Sequence, residues 1–181
     1  MAQRFISPCL LEKAIKMEAH VESRNSIQIL VVDDDEGHAE LVRRNLRRVG
    51  FSNAVTVLTD SETALDFVFC RSNHAHRNPT AQLVILLDIN MPGINGVEVL
   101  RRIKADPIKK KIPVIMLTTT EDPWEINRCY EMGCSIYVKK PVEAAAFIDA
   151  ISKLGMFIAV VNIPVEGERE SFSLAEGFSN I

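Results

Sequence analysis

Four acids in a row, Asp33-Asp34-Asp35-Glu36, follow the apolar stretch Ile27-Gln-Ile-Leu-Val-Val32. A further acid, Asp88, follows Leu83-Val-Ile-Leu-Leu87 and leads into Ile89-Asn-Met-Pro-Gly-Ile-Asn-Gly96. Thr118 ends Ile112-Pro-Val-Ile-Met-Leu117, and Lys140 stands between Tyr137-Val-Lys139 and Pro141. Brought together, such carboxylates repel, and each raises the others' pKa unless a cation neutralises them. A hard divalent cation answers that problem. Mg²⁺ fits best, because it takes one or two carboxylates and keeps positions for water and phosphate oxygens. A carboxylate beside Mg²⁺, an ammonium and a hydroxyl is equipped to attack a phosphoryl group, the two cations offsetting charge on the transferring oxygens. The product is an aspartyl phosphate. Singly, each residue has a plainer reading: Asp88 starting a turn, Thr118 capping a helix, Lys140 solvated, Tyr137 packing.

The elements that must position these residues are legible as hydrophobic pattern. Continuous apolar runs bounded by turn residues read as strands buried on both faces, here Ile27–Val32, Leu83–Leu87 and Ile112–Thr118. Asn53–Leu58 and Ser135–Val138 are shorter candidates. Between them, Ala39, Val42, Leu46 and Val49 step by three and four, the spacing of one buried helical stripe, and Gly50 closes that helix. Thr59-Asp-Ser61 offers an N-cap to a helix Glu62–Cys70. Further helices run over Asn95–Ala105, from Asp122-Pro123 to Gly133, and over Val142–Val160. Strand and helix thus alternate five times, which predicts a parallel α/β sheet with helices on both faces and right-handed crossovers. Folds of the flavodoxin-like type arrange five such strands in the order 2-1-3-4-5, which is the order expected here. Such sheets collect chemistry at the carboxyl ends of their strands. The candidate residues all lie there.

The chain has 181 residues and a net charge of -3, which argues against a nucleic-acid footprint. No apolar run is long enough for a membrane helix, and the N-terminus lacks the centre of a signal peptide. The expectation is a cytoplasmic protein whose cysteines (Cys9, Cys70, Cys129, Cys134) are free thiols. His74 and His76 form an isolated pair in a loop, short of a tetrahedral metal site. Residues 1–26 read as an N-terminal extension, with helical spacing over Leu10–Val21, and 162–181 as an acidic tail.

Over Ile27–Val161 the sequence resembles the receiver domain of two-component response regulators. The resemblance rests on the acidic pair after the first strand, Asp88-x-Asn90-Met-Pro-x-x-x-Gly96 after the third, Thr118 after the fourth, and Lys140-Pro141 after the fifth. It implies that Asp88 accepts a phosphoryl group from a histidine kinase. It further implies that Asp34 holds Mg²⁺ directly, Asp33 largely through water and Asn90 through its backbone carbonyl, while Thr118 and Lys140 contact the phosphoryl group. Tyr137 takes the place of the family's switch aromatic, moving inward with Thr118, and the Lys140–Pro141 bond is expected to be cis. Thr119 departs from the small residue many receivers carry at that position. Its branched side chain is expected to narrow the approach to Asp88.

The Leu-Thr-Thr run, the long loop before the third strand and the ending Phe157–Pro164 look like stand-alone receivers paired with phytochrome-type kinases, or their archaeal relatives. The twenty residues after Val161 are too few for an effector domain. The chain is therefore expected to signal by protein contacts, not as an enzyme and not by binding DNA. A phosphate sink or relay intermediate is the alternative. A Mg²⁺-dependent phosphatase is disfavoured, since Asn90 stands where its second Asp would be. The last helix is apolar on more than one face, which suggests a homodimer through the fourth helix, fifth strand and last helix, or tighter burial under the sheet or under the N-terminal segment.

Overall fold

The computed structural model describes residues 27–51, 54–78 and 82–161. The strands are β1 (Ile27–Val32), β2 (Val55–Leu58), β3 (Gln82–Asp88), β4 (Val114–Thr118) and β5 (Ile136–Lys139). Each is followed by a helix: α1 (Glu36–Arg48), α2 (Ser61–Val68), α3 (Gly96–Ala105), α4 (Pro123–Glu131) and α5 (Ala144–Ile158). All neighbouring strands are parallel, in the order β2-β1-β3-β4-β5. This is the expected flavodoxin-like arrangement. The candidate helix Leu10–Val21, Cys9 and the tail from Asn162 lie outside the described residues.

The sheet is central because β1, β3 and β4 are apolar on both faces. Leu30, Val32, Leu83, Ile85 and Leu87 meet α2, α3 and Cys129 of α4 on one side. Ile27, Ile29, Val31, Val84 and Leu86 meet α1 and α5 on the other. The alternation of side chains along a strand divides one continuous apolar run between two cores. On α1 the expected stripe Ala39, Val42 and Leu46 is buried, with Asn45 beside it. Burial of Asn45 is tolerated because its amide nitrogen donates to Leu41 O at 2.7 Å.

Helix starts are set by short polar side chains accepting backbone amides. Asp35 caps α1 through His38 N, Asp60 caps α2 through Thr63 N, Asn95 caps α3 through Glu98 N, and Asp122 caps α4 through Trp124 N. The last helix begins at Ala144, after the expected Val142, and no side chain caps it. Its apolar surplus is only partly absorbed. Phe147, Ile151, Leu154 and Ile158 are buried, each stabilising by roughly 1.5–3 kcal/mol as an upper estimate. Met156, Phe157 and Val160 remain exposed near its end. No helix among the described residues is long and apolar enough to cross a membrane.

The end of α1 packs tightly on α5 at Gly155, where an added Cβ would lie 2.6 Å from Val49 Cγ2 and 3.2 Å from Leu46 Cδ2. Val49 is β-branched and yields little. Gly155→Ala is therefore expected to lower stability by about 1–3 kcal/mol in urea denaturation. Met156→Ala, next to it but exposed, is expected to stay within about 0.5 kcal/mol of wild type.

Candidate functional site

Asp88 closes β3, the middle strand of the sheet, and Leu117 of β4 lies beside it in register. Asp33 and Asp34 follow β1 on the other flank, and Lys140 follows β5. The strand order itself puts all of them at one rim. Asp33, Asp88, Thr118 and Lys140 are buried, whereas Asp34 is exposed.

The Lys140 ammonium donates to Asp33 Oδ2 at 2.7 Å and to Asp88 Oδ2 at 2.8 Å. It reaches that point because its backbone amide is anchored to Thr118 O at 2.6 Å. The remaining carboxylate oxygens are held by the chain that follows them. Asp33 Oδ1 accepts from Asp35 N at 3.1 Å, and Asp88 Oδ1 accepts a longer bond from Asn90 N at 3.4 Å. Carboxylate oxygens of Asp33, Asp34 and Asp88 lie within 4.8 Å of one another. Burial raises the pKa of Asp33 above its ordinary 3.8, against the lowering effect of Lys140, with the Asp88 charge adding to the rise. Three carboxylates facing one ammonium leave an excess of negative charge at an oxygen-only donor set. That is the environment a hard divalent cation fits.

The loop from Asp88 to α3 is tightly fixed. Ile89 and Met91 are buried in the core, and Gly96 N donates to Ile89 O at 2.9 Å. Ser61 Oγ donates to Ile94 O at 2.5 Å, tying the loop to α2. A Cβ at Gly96 would fall 1.9 Å from the Asp88 carbonyl oxygen, a backbone atom that cannot move aside. Gly96 is therefore required for the helix to start against the strand end.

Thr118 is buried, and its Oγ1 accepts from Thr120 N at 3.2 Å. Tyr137 is half-buried against the core. Its hydroxyl donates to Thr120 O at 3.5 Å, and burial pushes its pKa up to about 12. Asn90 and Thr119 are exposed. The expected cis bond is not found: no cis peptide occurs among the described residues, so Lys140–Pro141 is trans. Trans is the ordinary form of an X–Pro bond, favoured by about 0.5–1 kcal/mol. His74 packs its ring edge-on against Phe67, with centroids 5.2 Å apart.

Some roles escaped the sequence. Asp35, one of the four acids, is spent on capping α1 at His38 N, 2.9 Å away. An Asp immediately before an apolar-periodic segment is the signal that could have shown it. Tyr130, whose hydroxyl accepts from Tyr137 N at 3.3 Å, gave no signal at all.

A family model described as the response regulator receiver domain matches residues 29–152. The chain is similar to the probable methanogenesis regulatory protein FilR2 of Methanothrix harundinacea, 32% identical over 122 residues that cover 67% of this chain and 77% of that protein. Among solved structures it is similar to a response regulator receiver domain from Rhodospirillum rubrum: 38% identity, TM-score 0.71, covering 77% of this chain and 99% of that one. It is also similar to the bacteriophytochrome response regulator RtBRR: 39% identity, TM-score 0.60, covering 76% and 82%.

Two substitutions separate the charges of the site. Lys140→Met leaves two buried carboxylates without their ammonium and is expected to cost about 3–5 kcal/mol in metal-free buffer. Asp33 has the opposite sign. Its raised pKa means the folded state binds the proton more tightly, so the group weighs against folding above its folded pKa and ceases to do so below 3.8. Asp33→Asn is accordingly expected to raise the metal-free thermal midpoint at pH 7. The gain over wild type should shrink as the pH is lowered towards 3.8.

Proposed function

The chain belongs to the response regulator receiver domain family, and from that premise we propose that it is a phosphorylation switch of a two-component system. A sensor histidine kinase supplies the phosphoryl group, Asp88 receives it, and the result is read through protein contacts. The observation that carries this is the Lys140 ammonium set between Asp33 and Asp88. A lysine held there is placed to offset charge on a phosphoryl oxygen.

In this reading an Asp88 carboxylate oxygen forms the bond to phosphorus as the kinase's phosphohistidine P–N bond breaks. Asp34, Asp33, the Asn90 carbonyl and Asp88 would hold Mg²⁺. When bound, the metal offsets charge on the transferred oxygens. Thr118 donates its hydroxyl to the phosphoryl group and leaves its contact with Thr120 N. Tyr137, bonded to the same Thr120, follows it. The work of the protein is accepting and holding the group rather than turning over an external substrate. It falls to a receiver domain over residues 27–161, with 1–26 as an extension and 162–181 as a tail.

The relatives bear on the pathway. One is named for methanogenesis and one for a bacteriophytochrome, which supports a phytochrome-type or archaeal kinase as donor. A cytoplasmic location agrees with the free thiols Cys70, Cys129 and Cys134. Trp124, Tyr130 and Val142 are exposed apolar groups on α4 and the β5–α5 connection, and Met156, Phe157 and Val160 are exposed at the end of α5 and just after it. Such exposed apolar groups support the α4–β5–α5 side and the last helix as the output surface and as the contact of a homodimer. DNA is not the partner in this reading, since the chain carries a net charge of -3.

Mg²⁺ with beryllium fluoride, a stand-in for the phosphoryl group, tests the proposal. The fluorescence of Trp124 and the sedimentation of the full chain are expected to change in wild type and not in Asp88→Asn. An identical response from both proteins would remove Asp88 from its role. A second expectation concerns the exposed Thr119: Thr119→Ala should label faster than wild type with acetyl phosphate. Slower labelling of the variant would show that the branched side chain does not obstruct the site.

A further inference from the structure

Helix α4 is anchored more lightly than its neighbours. Cys129 is its one buried residue, whereas α1, α2, α3 and α5 each bury four or more. Elements with few buried apolar groups sit at the low end of local stability, so a single polar tie weighs more on α4 than it would on α1 or α5.

Tyr130 supplies such a tie. Its ring is half exposed, and its hydroxyl accepts the backbone amide of Tyr137 at 3.3 Å. That amide belongs to β5, an edge strand. The amide of Lys140 turns inward to Thr118 O. Amides alternate in direction along a strand, so that of Tyr137, an odd number of positions away, turns outward. Outward amides of edge strands lack a partner in the sheet. Tyr130 provides one from the last turn of α4.

The other end of Tyr137 leads to the site. Its hydroxyl donates to Thr120 O at 3.5 Å, and Thr120 N donates to Thr118 Oγ1 at 3.2 Å. Thr118 is buried at the rim that carries Asp88 and Lys140. One path of contacts therefore runs from Thr118 through Thr120 and Tyr137 to Tyr130 and the outer face of α4, where Trp124 is 67% exposed. We propose that Tyr130 is a positioning residue: its hydroxyl holds α4 to β5, so that a displacement of Thr118 and Tyr137 at the phosphoryl site moves the face that carries Trp124. This rests on the reading of Asp88 as the phospho-acceptor and adds to it a residue that touches neither metal nor phosphoryl group.

The test is Tyr130→Phe in the full chain, which removes the oxygen and keeps the ring. Hydrogen exchange of the Tyr137 amide, followed by NMR, is expected to quicken about fivefold, the equivalent of one hydrogen bond of about 1 kcal/mol. The amide of Val138 should be unaffected. With Mg²⁺ and beryllium fluoride, the variant should bind with a midpoint within about twofold of wild type yet lose more than half of the Trp124 response. Unchanged exchange at Tyr137, exchange quickened equally along all of β5, or a full Trp124 response would each overturn the proposal. If wild type itself fails to respond to beryllium fluoride, the reading of Asp88 is what has failed. Exchange at Tyr137 then decides the tie by itself.

Discussion

The Lys140 ammonium between Asp33 and Asp88 is the interaction on which the arrangement depends. Two carboxylates and a lysine are buried together there. Taking charges out of water costs several kcal/mol per ion, and only close geometry with further hydrogen bonds offsets it. The fold meets that requirement by placing the ends of β1 and β3 side by side and bringing the end of β5 across β4. Lys140 spans the remaining gap because its amide is fastened to Thr118 O. The offset is incomplete: burial raises the pKa of Asp33 in spite of Lys140. An anionic site of this kind attracts a cation more strongly than a fully neutralised one would, and the arrangement favours a metal with some loss of metal-free stability.

Rigidity is distributed to match. The two cores clamp β1, β3 and β4 from both sides, which fixes the residues that must not move. On α4, Cys129 is buried while Trp124 and Tyr130 face solvent. A firm floor of strand ends and a lightly held helix beside it are what a switch needs, since a ligand moves an equilibrium only between states that differ little in energy.

Much of this was legible in the sequence, for a physical reason. A strand buried on both faces must be apolar throughout, so β1, β3 and β4 announced themselves; alternation with helices gave a parallel sheet, and the strand order came from the flavodoxin-like fold it matches. Residues at the carboxyl ends of such strands share one rim, which placed Asp33, Asp34, Asp88, Thr118 and Lys140 together before any coordinates. What stayed hidden depends on contacts between distant residues. Asp33, Asp34 and Asp35 look alike in the chain, yet one is buried against Lys140, one is exposed, and one caps a helix. Gly155 reads as a flaw in a helix until Val49 is seen against it. Tyr130 has no pattern of its own, because its partner is a backbone amide seven residues on. The isomer of the bond before Pro141 is equally silent, since the small intrinsic preference for trans can be overturned by surroundings that the local sequence does not reveal.

The abutment of Gly96 on the Asp88 carbonyl also bears on how loop lengths can vary. Gly96 donates to Ile89 O, and Met91 lies buried between them, so this connection is a closed knot of backbone with no slack. An added residue would have to be expelled at its tip, near Gly93, or would push α3 off the strand end. The connection from α2 to β3 lies at the opposite rim and is exposed at Ser72, Asn73 and Asn78. There a doubling in length costs only about 0.6 kcal/mol of closure entropy. Length variation is thus confined by geometry to the rim away from the charges, and this chain carries its long loop on that side.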